Sequence, residues 1–235
     1  MENEKNKDLK NALTGTFVII LYSIFTDLLI SLLKVFNINY NNFNTISKCV
    51  FVALSEIILT LIIILIYKND FIPNFKDFIK NIKSYFDKYI KYWFLTLGLM
   101  IMSNLIITLF TTSEISNNQE MIVEAFKKLP IYTIIVTIVV APFLEELVFR
   151  MSFRKIFAHS NILFIFFSGF IFGGLHVITS LTSLNNLLFI IPYSIPGFMF
   201  AYLYTKSNNI MVPIMLHFIH NSVMMLMQLI VIFIK

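Results

Sequence analysis

The sequence predicts an all-α, polytopic membrane protein. It has about seven transmembrane helices, with eight as the alternative, and an amphipathic helix at the membrane interface. The first observation is composition: of 235 residues, 58% are hydrophobic and 13% charged, against about 25% charged in soluble domains. The second is a mean hydropathy of +0.82. The third is that the apolar runs are continuous, whereas the strands of a membrane β-barrel alternate over about 10 residues.

Seven apolar runs are long enough to be membrane spans, since about 20 helical residues cross a hydrocarbon core of about 30 Å. They lie at residues 13–36, 46–67, 92–112, 130–149, 162–179, 186–204 and 210–234. The amphipathic helix is predicted between the second and third runs. Its apolar residues recur at helical spacing, and lysines fill much of the other face, which is typical of helices that lie on a membrane surface. The apolar set is Phe75, Phe78, Ile79, Ile82, Phe86 and Ile90, and the lysines are Lys76, Lys80, Lys83 and Lys88.

The distribution of basic residues predicts a cytoplasmic N-terminus. With that orientation thirteen Lys and Arg residues lie inside and five outside, as the positive-inside rule requires. The net charge of +5 is then a property of cytoplasmic loops, and we expect no nucleic-acid partner. The abundance of Ile, Asn, Lys and Phe is typical of an AT-rich bacterial genome, so we expect a multi-pass protein of a bacterial plasma membrane. A single cysteine, Cys49, excludes an intramolecular disulfide and a cysteine-based zinc site.

Two adjacent carboxylates, Glu145 and Glu146, interrupt the fourth apolar run. Ionisable groups inside a membrane are costly and are functional candidates by default. Arg150 follows Glu146 at i+4, the favourable order for a helical ion pair, which also fits a pair that only anchors the helix end. Glu145 points about 100° away on a helix, so the sequence predicts that it is available as a base.

His176, His217 and Asn221 are the other candidates in the apolar helices, with His220 as a neighbour. His217 and Asn221 share a helix face at i, i+4. His176 stands alone in its helix, and an isolated membrane histidine is more often a hydrogen-bonded packing residue than a catalytic one. Two mechanisms remain open. A glutamate and a histidine can polarise water while a histidine and an asparagine stabilise an oxyanion. Alternatively, Glu145, His176 and His217 are a two-histidine, one-carboxylate ligand set for catalytic zinc.

Three motifs in order carry a family resemblance: E-E-x-x-x-R at Glu145, Glu146 and Arg150, F-x-x-x-H at Phe172 and His176, and H-x-x-x-N at His217 and Asn221. This set resembles the CPBP family, the CAAX-protease and bacteriocin-processing enzymes also called the Abi family.

The resemblance implies an intramembrane endopeptidase of the glutamic type, a hydrolase without a cofactor, with zinc as the alternative. Glu145 and His176 would activate water and His217 and Asn221 would form the oxyanion hole. The supporting residues would be Glu146, Arg150 and Phe172. Met151 stands where many members have glycine.

We therefore expect residues 130–235 to form a CPBP-like catalytic core and residues 1–129 to supply the N-terminal spans and the surface helix, within one integral membrane domain. The expected partners are the lipid bilayer and a peptide or membrane-protein substrate, as in peptide-pheromone or bacteriocin processing or self-immunity. Two alternatives stay open: a non-enzymatic immunity or scaffold protein of the same fold, and a proton-coupled transporter that uses Asp27, Glu56 and Glu145.

On the predicted topology, an upright fifth helix would place His176 nearer the external half of the membrane than Glu145. The motif requires the two to meet, so either that helix begins in the cytosol, around Phe157, or the helices tilt strongly. We expect a site that is open to the cytosol, within the inner part of the membrane.

Overall fold

The computed structural model describes residues 2–110, 117–179, 181 and 184–234. Eight main helices follow one another in these residues. They are α1 (Glu2–Val35), α2 (Thr45–Ile66), α3 (Lys68–Phe110), α4 (Asn117–Lys128), α5 (Pro130–Ile156), α6 (Asn161–Ile178), α7 (Ile190–Ser207) and α8 (Met211–Ile234). Two short 3₁₀ turns, Tyr40–Asn42 and Leu184–Phe189, precede α2 and α7.

Seven helices of the described chain are long and apolar enough to cross a membrane, so the predicted all-α, multi-pass fold is confirmed. Large apolar side chains cover the outside of the bundle, as a lipid-facing surface requires. On α1, for example, the exposed apolar residues are Leu9, Leu13, Phe17, Ile20, Ile24, Leu28 and Leu32. The remaining main helix, α4, has only 12 residues and is too short to cross a membrane.

The amphipathic segment and the third span form one 43-residue helix, α3, with a kink at Asn81, where φ is −118° and ψ is 18°. The sequence predicted two separate elements. They are joined because no glycine or proline occurs between residues 74 and 97, and those two residues are the strongest helix breakers. At about 1.5 Å per residue α3 is far longer than the hydrocarbon core, so only its second half is needed as a span.

One end of the bundle, which we call the basal end, comprises residues 2–10, 67–91, 152–160 and 206–210. Side-chain contacts tie these segments together. They are His159 Nε2 to Asp8 Oδ2 (3.0 Å), Tyr67 OH to Ser152 Oγ (2.7 Å), Lys155 Nζ to Asp70 Oδ2 (2.6 Å) and Asn209 Nδ2 to Asp77 Oδ2 (3.0 Å). The four segments are those that the charge count places on one side; that this side is cytoplasmic stays a prediction.

Helices α6 and α7 pack most closely because small residues line their contact. A Cβ atom added to Gly173 would lie 2.5 Å from the backbone nitrogen of Ser194 and 2.7 Å from its Cα. Glycine at this position therefore lets the two backbones touch, as small residues commonly do between membrane helices. The contact lies one turn before His176, so it fixes how far that histidine reaches from α6 into the bundle.

Candidate active site

Helix α5 carries both glutamates in an α-helical turn, Ala141–Glu146, between two π-helical segments, Val136–Val140 and Leu147–Ser152. π turns inside α-helices are rare and frequently occur at functional sites. Pro142 accounts for part of the first irregularity because it has no N–H to donate to the preceding turn. Each π turn also rotates the residues that follow it relative to a regular helix.

Glu146 is the centre of a buried charge cluster. Its Oε2 lies 2.9 Å from Arg150 Nε, and neither side chain is exposed (0% each). Its Oε1 lies 2.9 Å from Nδ1 of His217 on α8. The Arg150 guanidinium also lies 4.6 Å above the ring of Phe172, a cation–π contact. The predicted Glu146–Arg150 pair is thus present. Glu146 also contacts His217, which the sequence did not assign to this pair.

Glu145 faces two histidines from two other helices. Its Oε2 lies 3.7 Å from His217 Nε2 and 3.9 Å from His176 Nε2. These separations are too long for direct hydrogen bonds and suit a group held between the carboxylate and the rings. The Glu145 side chain is 17% exposed and that of His176 is 23% exposed, so a substrate can reach both.

The other nitrogen of each histidine fixes which atom carries the proton. His176 Nδ1 lies 2.8 Å from the carbonyl oxygen of Phe172, and a carbonyl can only accept, so Nδ1 donates. His217 Nδ1 likewise donates to the Glu146 carboxylate. In a neutral ring, Nε2 of either histidine is then an acceptor directed at Glu145; with a second proton it is a donor.

Asn221 lies one turn after His217 and donates from Nδ2 to the carbonyl oxygen of Thr137 at 2.8 Å. In the π segment, Ala141 N–H reaches back five residues to Val136 O. The next residue, Pro142, has no N–H to continue that pattern to Thr137, whose carbonyl is bonded by Asn221 instead. The second N–H of the Asn221 amide remains available for another acceptor.

A cavity of about 440 Å³ opens beside these groups. Its wall includes Glu145, His176, His217 and Asn221, so all four predicted catalytic residues come together on one surface. The remainder of the wall is largely apolar, which is typical of small-molecule and peptide sites with a few orienting polar groups. His220, 7% exposed, is also part of the wall.

The cavity wall also contains residues that none of the sequence motifs indicated. Asn104 and Met100 of α3, Ile122 of α4, and Gln228 of α8 line it. Asn104 and Gln228 are polar residues inside apolar spans, and that signal could have identified them. Of the remaining intramembrane acids, Asp27 is exposed on α1 and Glu56 is partly buried on α2; neither lines the cavity.

The alternative zinc ligands were tested against the same geometry. Two ligands of a tetrahedral zinc with bonds of about 2.0–2.1 Å lie closer together than the 3.7 and 3.9 Å found here. No group of three His, Cys, Asp or Glu among the described residues is arranged to hold a metal ion. The zinc alternative stays a prediction that chelation can test.

Comparison with known proteins shows what part of the chain is similar to. Residues 127–223 match the family described as type II CAAX prenyl endopeptidase Rce1-like. A curated protein of Bacillus subtilis (strain 168) named "Putative membrane peptidase YdiL" is 35% identical over 116 residues, which are 48% of this chain and 44% of that protein. The chain thus spans less than half of this relative, and no solved structure matches. The resemblance to the CPBP family is confirmed, because residues 127–223 are similar to the Rce1-like type II CAAX prenyl endopeptidases and the curated relative carries the name of a membrane peptidase.

Proposed function

We propose that the chain is an intramembrane endopeptidase that hydrolyses a peptide bond of a membrane-associated peptide or protein with water activated by Glu145 and His176. The main support for this proposal is that the Glu145 carboxylate lies close to two histidines on the wall of the cavity. Its Oε2 is 3.9 Å from His176 Nε2 and 3.7 Å from His217 Nε2. Three ionisable groups from three apolar helices are costly to bury together, and the membrane-protease family of residues 127–223 supports a role in hydrolysis.

In the proposed reaction, a water molecule lies between Glu145 and His176. Because Nδ1 of His176 donates to Phe172, Nε2 accepts a hydrogen bond from the water and orients its oxygen toward the scissile carbonyl. Glu145 takes the proton as the water attacks. It then returns that proton to the leaving amine as the C–N bond breaks, which is ordinary general acid–base catalysis.

The oxyanion would be stabilised by His217 and Asn221. Since His217 Nδ1 donates to Glu146, its Nε2 can donate only when the ring is protonated. The Glu146 carboxylate holds the ring in this orientation and is itself paired with Arg150. Asn221, held by Thr137, offers its second N–H. Fixed donors at a developing oxyanion are among the largest contributions to catalysis.

The test is cleavage of a fluorogenic peptide library by the full chain purified in detergent. Glu145→Gln and His176→Ala should each lower turnover by at least about 10²-fold, the usual contribution of a general base. Asp27→Asn and His159→Ala are matched controls, because they change a carboxylate and a histidine that are both exposed outside the cavity. Unchanged turnover in both site variants would refute the proposal.

Two further measurements separate the alternatives. Turnover that persists after extensive chelation excludes a catalytic zinc, whereas loss that zinc restores supports it. Glu145→Gln protein that still fulfils the role of the chain in cells, while it cleaves nothing, would favour a non-enzymatic immunity or scaffold protein. Comparison of membrane-associated peptides between wild-type cells and cells with this variant would identify the substrate, for which peptide pheromones and bacteriocins are the proposed class.

A further inference from the structure

Residues 68–91 of α3 lie at the basal end and are held there by polar contacts with the last turn of α5, with the end of α7 and with the turn between α7 and α8. The contacts are Lys155 Nζ to Asp70 Oδ2 (2.6 Å), Asn209 Nδ2 to Asn74 O (2.9 Å), Ile210 N to Asn74 Oδ1 (2.7 Å) and Tyr89 OH to Lys206 O (3.3 Å). These partners lie at or just beyond the ends of α5 and α7, so the segment lies where the spans end.

A neighbouring face of this segment exposes an apolar stripe. Its members follow one another at intervals of three and four residues, and each is 42–54% exposed. They are Ile72, Phe75, Ile79, Ile82 and Phe86. The inner face is occupied by buried Phe71, Phe78 and Tyr89. A helix with an apolar face beside a lysine-rich face typically lies at the boundary between headgroups and acyl chains.

At the kink, the surface forms an open depression lined by Lys80, Lys83 and Lys88 together with Asn81, Ile82, Ser84 and Asp87. The three ammonium groups outnumber the one carboxylate. None of the ion pairs among the described residues uses these lysines. Asn81 donates to the carbonyl oxygen of Asp77 at 3.1 Å and to its carboxylate at 2.8 Å, which holds the kink and therefore the depression.

We propose that this depression binds the phosphate group of an anionic phospholipid of the bilayer, whose acyl chains cover the apolar stripe. The lysines supply the charge that a phosphodiester requires, and the Ser84 hydroxyl and Asn81 amide are further polar groups at its rim. The occupant is a lipid rather than a soluble anion because Ile82, a member of the exposed apolar stripe, also lines the charged depression. The binding does not depend on peptidase activity.

The test is native mass spectrometry of the full chain with phosphatidylglycerol or phosphatidylcholine. We expect phosphatidylglycerol to bind more tightly, and the triple variant Lys80→Gln/Lys83→Gln/Lys88→Gln to lose about tenfold or more of that affinity, since each lysine near an anionic surface contributes about fivefold. Binding of phosphatidylcholine should not change, and the corresponding triple arginine variant should retain the preference. A glutamine variant that keeps the full preference would overturn the proposal.

The matched control is Lys5→Gln/Lys7→Gln/Lys10→Gln, which removes the same charge from the basal end but leaves the depression intact. An equal loss of phosphatidylglycerol in this variant would show a general charge effect and overturn the site. Wild-type protein gives a second, mutation-free readout: the preference should weaken as salt screens the lysines. Displacement of the lipid by glycerol 1-phosphate at equal concentration would identify a soluble-anion site and also overturn the proposal.

Discussion

Arg150→Met is predicted to be one of the most destabilising substitutions in the domain. It leaves the Glu146 carboxylate, which is 0% exposed and 2.9 Å from the guanidinium, without its cation. Breaking a buried pair by removing one partner costs about 3–5 kcal/mol. Because His217 still donates to Glu146, we expect the lower end, about 3 kcal/mol, a large part of a total stability of about 5–15 kcal/mol.

The double variant Glu146→Gln/Arg150→Met removes both charges together, so it should recover at least about half of that loss, as neutral replacements of buried pairs often do. Lys155→Met is the matched control, because Lys155 pairs with an Asp70 side chain that is 52% exposed. Such a surface pair contributes about 0–1 kcal/mol.

The assay is unfolding by dodecyl sulfate in mixed micelles, followed by the fluorescence of the single tryptophan, Trp93, which is 6% exposed. Equal slopes of the unfolding transitions would show that the variants unfold between comparable states. The reasoning is wrong if Arg150→Met costs no more than Lys155→Met, or if the double variant is no more stable than the single one.

Three further predictions concern other contacts. Asn221→Ala should lower the turnover number by about 10²–10³-fold with little change in KM, the usual effect of losing an oxyanion donor; a change confined to KM would contradict that role. Gly173→Ala should cost about 1–3 kcal/mol in the micelle assay, because its methyl group would meet the Ser194 backbone. Gly98→Ala is its control: nothing lies near the added atom, and alanine should stabilise the helix by up to about 1 kcal/mol. Asn209→Ala should cost about 1–3 kcal/mol, since this 2% exposed side chain loses its hydrogen bonds to the Asn74 carbonyl and the Asp77 carboxylate, each worth about 0.5–1.5 kcal/mol. Hydrogen exchange should then rise in residues 68–80, and unchanged exchange there would show that other contacts hold the segment.

The membrane spans and the Glu146–Arg150 ion pair were predictable because both depend on residues that are close together in the sequence. Continuous apolar runs locate the membrane helices, and the i, i+4 interval places Arg150 beside Glu146. That Glu145 lies near His176 and His217 could be predicted because few polar groups occur in the apolar helices of the last hundred residues, although no geometric argument supported it. The depth of His176 could not be predicted: a count of residues along an upright helix puts it in the external half, yet its Nε2 is 3.9 Å from Glu145.

The contact between Glu146 and His217 joins residues 71 positions apart and depends on how α5 and α8 pack, which no local pattern encodes. Sequence reasoning gave Glu146 to Arg150 alone. Similarly, the amphipathic segment and the third span were expected to meet near residue 91, where hydropathy changes, but the backbone of α3 bends at Asn81 instead. Asn104 was overlooked because one amide in an apolar run carries little weight by itself.

The two π segments of α5 change the direction in which the residues after each of them face, so the position of a residue in the sequence does not by itself give the side of the helix on which it lies. Because a π turn holds one residue more than an α turn, the same residues wound as a regular α-helix through Val136–Val140 would leave everything after them rotated by about 100°. Every residue of the three motifs would still be present, but Glu145 would turn away from His176 and His217, and Glu146 would turn away from His217. The spacing of E-E-x-x-x-R is therefore not sufficient to identify a competent site in a related sequence, and the length of the segment before it has to be counted as well.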